Sequence, residues 1–182
     1  SKLNAAARPV MILGGGALGA SSEALAVAEK LQAPVFTTVA GKGAIPASHP
    51  LCMGYSLLNA ETIAFIRSSD CILCAGSELA ETDFWDTSAL IEQNLIRIDI
   101  DPDSLARPHT ADIAILGEAK AALAAIGSGL SAQKKPWAAD AKASIAVQDD
   151  DAMHAMLAKV LKVIRDSLPP ETIVCSDMTQ IA

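Results

Sequence analysis

A chain of 182 residues that is 51% hydrophobic but only 3% aromatic must build its core from Ala, Val, Ile and Leu, as helices packed closely over a parallel sheet do. A formal net charge of -7 with no basic patch argues against nucleic acid or an anionic membrane as partner. No apolar run reaches the roughly 18 residues of a membrane span, and the N-terminus does not resemble a signal peptide.

Residues 1–8 read as a polar, Ala-rich linker end. Val10-Met11-Ile12-Leu13 is a continuous apolar run, the pattern of a strand buried on both faces. Gly14, Gly15 and Gly16 follow, and Gly14, Gly16 and Gly19 fit G-x-G-x-x-G. Ser21 and Ser22 are candidate caps for the next helix, and Glu23 suits its first turn. Strand, glycine turn and helix start together predict free backbone N–H groups facing a phosphate or another anion. The alternative is that the glycines only make a tight turn and a close helix–sheet contact.

The helix spans 22–31 and breaks at Gln32-Ala33-Pro34. A second strand occupies 35–38, and a Gly-, Pro- and Ser-rich loop continues to 54. A helix over 59–67 leads to a third strand at 70–75, which Gly76-Ser77 turns. The stretch 78–93 is irregular or weakly helical and carries acids with Phe84 and Trp85. A fourth strand spans 95–100, and Asp101-Pro102-Asp103 starts a helical turn. A short fifth strand at 112–116 precedes a helix at 119–126, closed by Gly127-Ser128-Gly129. Composition then shifts to Ala, Lys, Asp and Gln, which reads as a partly helical linker. Met153, Met156, Leu157, Val160, Leu161, Ile164 and Leu168 keep the spacing of an amphipathic helix, stopped by Pro169-Pro170. Thr172 to Cys175 is strand-like.

Alternating strands and helices with short glycine turns predict an α/β, Rossmann-like three-layer fold with a mainly parallel sheet. The expected division is a linker at 1–8, a domain at 9–130, a linker at 131–150, and at 151–182 a helix with the first strand of a truncated next domain. Ligands of such sheets bind beyond the carboxyl ends of the strands, here the loops 14–21, 39–54, 76–87 and 99–104. Cys71 and Cys74 are spaced C-x-x-C, but within a strand they face opposite sides, so both read as core. With Cys52 and Cys175 they fit unpaired thiols in a reducing cytoplasm.

The second strand ends in Thr37-Thr38-Val39-Ala40 without the acid that a dinucleotide site uses for its ribose, which disfavours a conventional NAD dehydrogenase. Lys42 in Gly41-Lys42-Gly43 lacks the P-loop spacing. No Ser–His–Asp or Cys–His arrangement emerges.

Several segments in order nevertheless carry a resemblance: GGGA after a strand, APVFTTVAGKGAIPASHPLCMG, DCILCAGSEL, IRIDIDP, and a Gly-Glu-Ala helix start. Over about residues 9–126 the chain resembles the central domain of thiamine-diphosphate-dependent enzymes of the acetolactate synthase, benzoylformate decarboxylase and pyruvate oxidase type. The tail LPPETIVCSDMTQIA is similar to the first strand of that family's diphosphate-binding domain. The resemblance implies a parent enzyme acting on 2-oxo acids with thiamine diphosphate and Mg2+, working as a homodimer or homotetramer. It also implies N- and C-terminal domains missing from this chain, which would carry the catalytic glutamate and the GDG…N magnesium motif. No GDG occurs in residues 1–182, so the chain alone is expected to be inactive.

By the same resemblance, the central cleft holds FAD in some relatives and ADP in others. The matching positions are Gly14, Gly15 and Gly16, Thr37 and Thr38, Gly76 and Ser77, and Asp99 and Ile100. FAD-binding relatives place an arginine soon after the third strand. This chain has Glu78, with Glu81 and Asp83 behind it, so a cleft empty of FAD is expected. GSELAETD is similar to the version in decarboxylases of guanidino-2-oxo acids, which makes Glu78 a candidate for a cationic substrate end; the alternative is a solvated acidic loop. His49, in the SHP turn, is a candidate acid or base, or a turn histidine bonded to backbone. A stand-alone FAD- or NAD-binding domain, or a ligand-free oligomerisation module, are the competing readings.

Overall fold

The computed structural model describes residues 2–84, 94–131, 135–145 and 152–174. They form two compact units, Ser1–Ala146 and Val147–Ala182.

The first unit is built on a six-stranded sheet in which every pairing is parallel. In chain order the strands are β1 (Pro9–Leu13), β2 (Val35–Thr37), β3 (Cys52–Gly54), β4 (Cys71–Ala75), β5 (Asn94–Asp99) and β6 (Ile113–Leu116), arranged 3-2-1-4-5-6. Direction along the sheet therefore reverses between β1 and β4, where Leu13 pairs Thr37 on one side and Ala75 on the other. Such a reversal opens a crevice at the carboxyl edge.

β1 is buried along its whole length because helices cover both faces. Met11 and Leu13 join the core under α1 (Lys2–Ala5), α2 (Ser21–Leu31) and α6 (Ala119–Gly129). Val10 and Ile12 join the opposite core with Ile66 of α3 (Ala60–Arg67), Phe84 of α4 (Glu81–Phe84) and Trp137. Cys71 lies in the first core and Cys74 in the second, so the C-x-x-C pair is split across the sheet as strand geometry requires. Asp101 caps the short α5 (Pro102–Ala106) by accepting from the Asp103 N–H at 3.0 Å.

Several local expectations change. No serine caps α2: a tight 3₁₀ turn, Gly15–Ala20, leads directly into it, so Ser21 and Ser22 are already helical and Ala20 holds the cap position. The Ser22 hydroxyl instead donates to Glu23 Oε2 at 2.9 Å. β3 falls inside the expected loop; three residues with a register shift at Val35/Phe36 are too short to show a period. α6 continues through Gly127 to Gly129 because it packs on α2, and Lys30 Nζ satisfies the Gly127 carbonyl at 2.7 Å. Residues 1–8 hold α1, with Leu3 and Ala6 in the core, and Asp70 accepts from the N–H groups of Ala7 and Arg8 at 2.7 and 2.9 Å. Trp137 stacks on Phe65 at 5.2 Å and donates to the Pro9 carbonyl at 3.0 Å, while α7 (Ala141–Ser144) brings Ile145 into the second core.

In the second unit, α8 (Ala152–Asp166) carries exposed Met156, Val160, Leu161, Val163 and Ile164. Arg165 donates to the carbonyls of Thr172 and Pro169 and closes the turn after it. Of the strand expected at the tail, Thr172, Ile173 and Val174 are in no strand, and the rest lies outside the described residues, as do Trp85 and Cys175. Among the described residues no helix is long and apolar enough to cross a membrane.

Candidate functional site

The turns after β1 and β4 meet at the switch point through backbone alone. The Gly14 N–H donates to the Ala75 carbonyl and the Gly16 N–H to the Gly76 carbonyl, both at 3.0 Å. The Ala17 N–H turns inward to the Gly14 carbonyl at 3.0 Å. A Cβ on Gly14 would stand 2.1 Å from the Gly76 oxygen, and one on Gly76, whose φ is +60°, would stand 2.6 Å from Gly16 Cα. Glycine is needed here for close approach of two chain segments. The N–H groups of Gly14, Gly16 and Ala17 have carbonyl partners and so do not contribute to the expected anion cradle. The alternative reading, a tight turn with a close contact, describes the geometry.

Beside this contact, across β4 and β5, lies a cleft of about 310 Å³. Of the expected site residues it gathers Gly16, Gly76, Glu78, Asp99 and Ile100, and it adds Asp101, Ser104 and Glu118. Asp99 Oδ1 accepts from the Asp101 N–H at 3.0 Å, and Asp101 Oδ2 accepts from the Ser104 hydroxyl at 3.3 Å. Gly14, Gly15, Thr37, Thr38 and Ser77 are not among its lining residues. Thr38 and Ser77 serve the backbone instead: Thr38 Oγ1 accepts from Gly41 and Ser77 Oγ from Leu79, whose φ is +51°. Thr37 Oγ1 is buried without a partner among the described residues.

His49 stands at the other edge of the sheet, ahead of β3. Its Nδ1 accepts from the Leu51 N–H at 3.3 Å, and its Nε2 lies 3.4 Å from Glu29 of the last turn of α2. It is bonded to backbone within its turn and does not line the cleft.

The cleft surroundings are acidic. Burial, with Glu78 adding to it, pushes the Asp83 carboxyl above its ordinary pKa, and burial together with Asp83 raises that of Tyr55. Lys42 lies 5.6 Å over the Tyr55 ring.

Arg97 is the residue that motif reading missed. It is 1% exposed on β5, and its hydrogen-bond partners among the described residues are backbone carbonyls: Ser77 at 2.9 Å, His109 at 2.8 Å and Arg107 at 3.2 Å. It thereby ties the turn after β4 to the loop after α5. A cation between the buried Ile96 and Ile98, in the middle of a strand, was the signal for it. Burial outweighs Arg97 at the Cys74 thiol, whose pKa is pushed up to about 12. Burial and Arg97 together lower that of His109.

Residues 1–126 match the family described as the thiamine pyrophosphate enzyme central domain. The chain belongs to this family. The chain is 38% identical, over its whole length, to the "probable 2-ketoarginine decarboxylase AruI" of Pseudomonas aeruginosa, of which it covers 33%. It is 34% identical to a "probable acetolactate synthase large subunit" of Methanocaldococcus jannaschii, over 71% of this chain and 24% of that protein. The fold recurs in an enzyme of Mycobacterium smegmatis described as thiamin diphosphate-dependent, with a TM-score of 0.63 and 24% identity, over 74% of this chain and 27% of that one. The central domain thus spans about a third of the length of the first relative and a quarter of the second. A stand-alone NAD- or FAD-binding oxidoreductase domain is not favoured by these matches.

The N–H groups of Gly14 and Gly16 are bonded to carbonyls, and the neighbouring cleft is lined by four carboxylates, which would repel a diphosphate. Among the described residues no group of His, Cys, Asp and Glu could hold a metal ion.

Proposed function

We propose that the chain serves as the central, assembly-related domain of a thiamine-diphosphate-dependent decarboxylase for a 2-oxo acid with a cationic end. The observation that carries this reading is 38% identity along the entire chain to a protein named for 2-ketoarginine decarboxylation. The acids around the cleft support it: Glu78 and Asp99 line it, and Asp83 lies near enough to Glu78 for its charge to be felt. A guanidinium pairs with such carboxylates by charge-assisted, often forked hydrogen bonds. Thiamine diphosphate, held with Mg2+ by neighbouring domains of the longer enzyme, would supply the carbanion that attacks the keto carbon and the electron sink for decarboxylation. The enzyme would assemble as a homodimer or homotetramer in a reducing cytoplasm, with no flavin in the central cleft.

The test uses the full-length protein with thiamine diphosphate, Mg2+ and a panel of 2-oxo acids. Carbon dioxide release should be fastest with guanidino-ended substrates, and residues 1–182 alone should release none. Glu78→Gln should raise KM for the guanidino acid about tenfold and leave uncharged substrates unchanged. A full-length enzyme that prefers uncharged 2-oxo acids would overturn the reading.

A further inference from the structure

The two outermost strands of the sheet are built differently. β3 is blunted: it has three residues, a register shift against β2, and Gly54 at φ +70° at its end. Short, irregular outer strands resist pairing with another chain. β6 carries no such device. Ile113-Ala114-Ile115-Leu116 holds no charge, proline or glycine and keeps register with β5 along its length. Its outer side pairs with no strand among the described residues. The Gly117 N–H donates to the Asp99 carbonyl at 2.8 Å, so the alternation of a parallel ladder turns the N–H and C=O groups of Ala114 and Leu116 away from β5.

The flank of this strand is nearly as bare of charge. Lys120 is the only charged residue of α6, and its exposed positions include Ala121, Ala124, Ala125 and Ser128. A helix whose outer face meets water normally carries charge there. Beneath α6, Ile113, Ile115, Ile126 and Leu130 line a half-open cleft of about 230 Å³ with Leu3 and Ile96. On the other face of β6, Ala114 is exposed and Leu116 is 63% exposed.

We propose that β6 is the seam between two copies of this chain, paired antiparallel about a two-fold axis at Ala114, so that their two sheets continue as one. This edge calls for a partner strand that is uncharged, apolar on both faces and equally short, and β6 itself is such a strand. The pairing is self-complementary. Ala114 of each copy exchanges N–H and C=O bonds with Ala114 of the other, and the Leu116 N–H reaches the Asp112 carbonyl. Ile113 then faces Ile115 of the other copy, which closes the two apolar clefts against each other. An axis at Ile115 would instead set Asp112 opposite Glu118, and like charges directly opposite are destabilising. Such a seam gives the homo-oligomer of the proposed function a surface; it rests on that reading for the oligomer alone and uses none of its thiamine chemistry.

Charge at Ala114 tests the seam in the full-length protein, and because the side chain is exposed each subunit should fold with it in place. Ala114→Glu should halve the mass measured by light scattering at micromolar concentration, and Ala114→Lys should do the same, since like charges then face each other across about 5.5 Å. The two variants mixed in equal amounts should return to the mass of the unsubstituted protein. Glu61→Lys, on α3, should leave the mass unchanged. An undiminished mass for Ala114→Glu, or a mixture that stays dissociated, would overturn the proposal. A short bis-maleimide should also link two copies through Ala114→Cys, as read by peptide mass mapping. A link from that position only to another cysteine of the same polypeptide would mean that a different segment covers β6, and would overturn it too. Carbon dioxide release by the unsubstituted protein reports separately on the thiamine reading, so either can fail alone.

Discussion

A methyl group on Gly14 has nowhere to go: it would stand 2.1 Å from the Gly76 oxygen and 2.5 Å from Ser77 Cβ, in a turn held by the bonds from Gly14 to Ala75, Gly16 to Gly76 and Gly76 to Ile98. Gly14→Ala should therefore cost about 3 kcal/mol or more, whereas Gly19→Ala, with nothing within 4 Å, should stay within about 0.5 kcal/mol. Urea denaturation of the two variants checks this; equal losses would mean that the two turns part easily. At His109, burial and then the Arg97 charge hold the imidazole below its ordinary pKa of 6.5. Between that lowered value and 6.5 the unfolded chain binds more protons than the folded one. Stability from the neutral imidazole is thus complete above about pH 6.5 and falls as pH drops through the window. His109→Gln should flatten that part of the thermal-midpoint profile between pH 5 and 7; an unchanged profile would refute the assignment. The glycine spacing made the turn legible in the sequence. Its use was not, because spacing cannot say whether an N–H meets a carbonyl or an anion.

At the scale of elements, the long periodic or continuously apolar stretches announced themselves. β1 and β4 are apolar runs buried by helices on both faces, β5 is apolar over residues 95–98 except for Arg97, and α2 and α3 keep helical spacing. What stayed hidden depends on tertiary contact. β3 exists because β2 offers an unpaired edge, and α6 runs through two glycines because α2 holds it. Trp137 lay within what read as a surface linker, yet it closes the second core. Trp137→Phe keeps the stacking on Phe65 but loses the bond to the Pro9 carbonyl, and should cost about 1 kcal/mol. Trp137→Ala should cost about 3 kcal/mol or more. If neither variant shifts the denaturation midpoint, the segment 135–145 does not stabilise the body.

For the whole molecule, the nucleotide fold and the site chemistry point in different directions, and charge decides between them. The 3-2-1-4-5-6 sheet with a glycine turn at its switch point is a scaffold that elsewhere binds dinucleotides. Here the N–H groups of Gly14 and Gly16 hold the carbonyls of Ala75 and Gly76, and Glu78, Asp99, Asp101 and Glu118 line the neighbouring cleft. A diphosphate brought to it meets repulsion from these carboxylates. Full-length protein should therefore be colourless when purified and should not quench added FAD fluorescence at micromolar concentrations. Glu78→Arg isolates the two causes. It removes one repulsive charge and supplies the cation that flavin-binding relatives carry, yet leaves the glycine N–H groups bonded. It should weaken any binding of guanidino substrates without producing flavin binding. Tight FAD binding by that single variant would mean that charge alone excludes the nucleotide and that the closed turn opens readily.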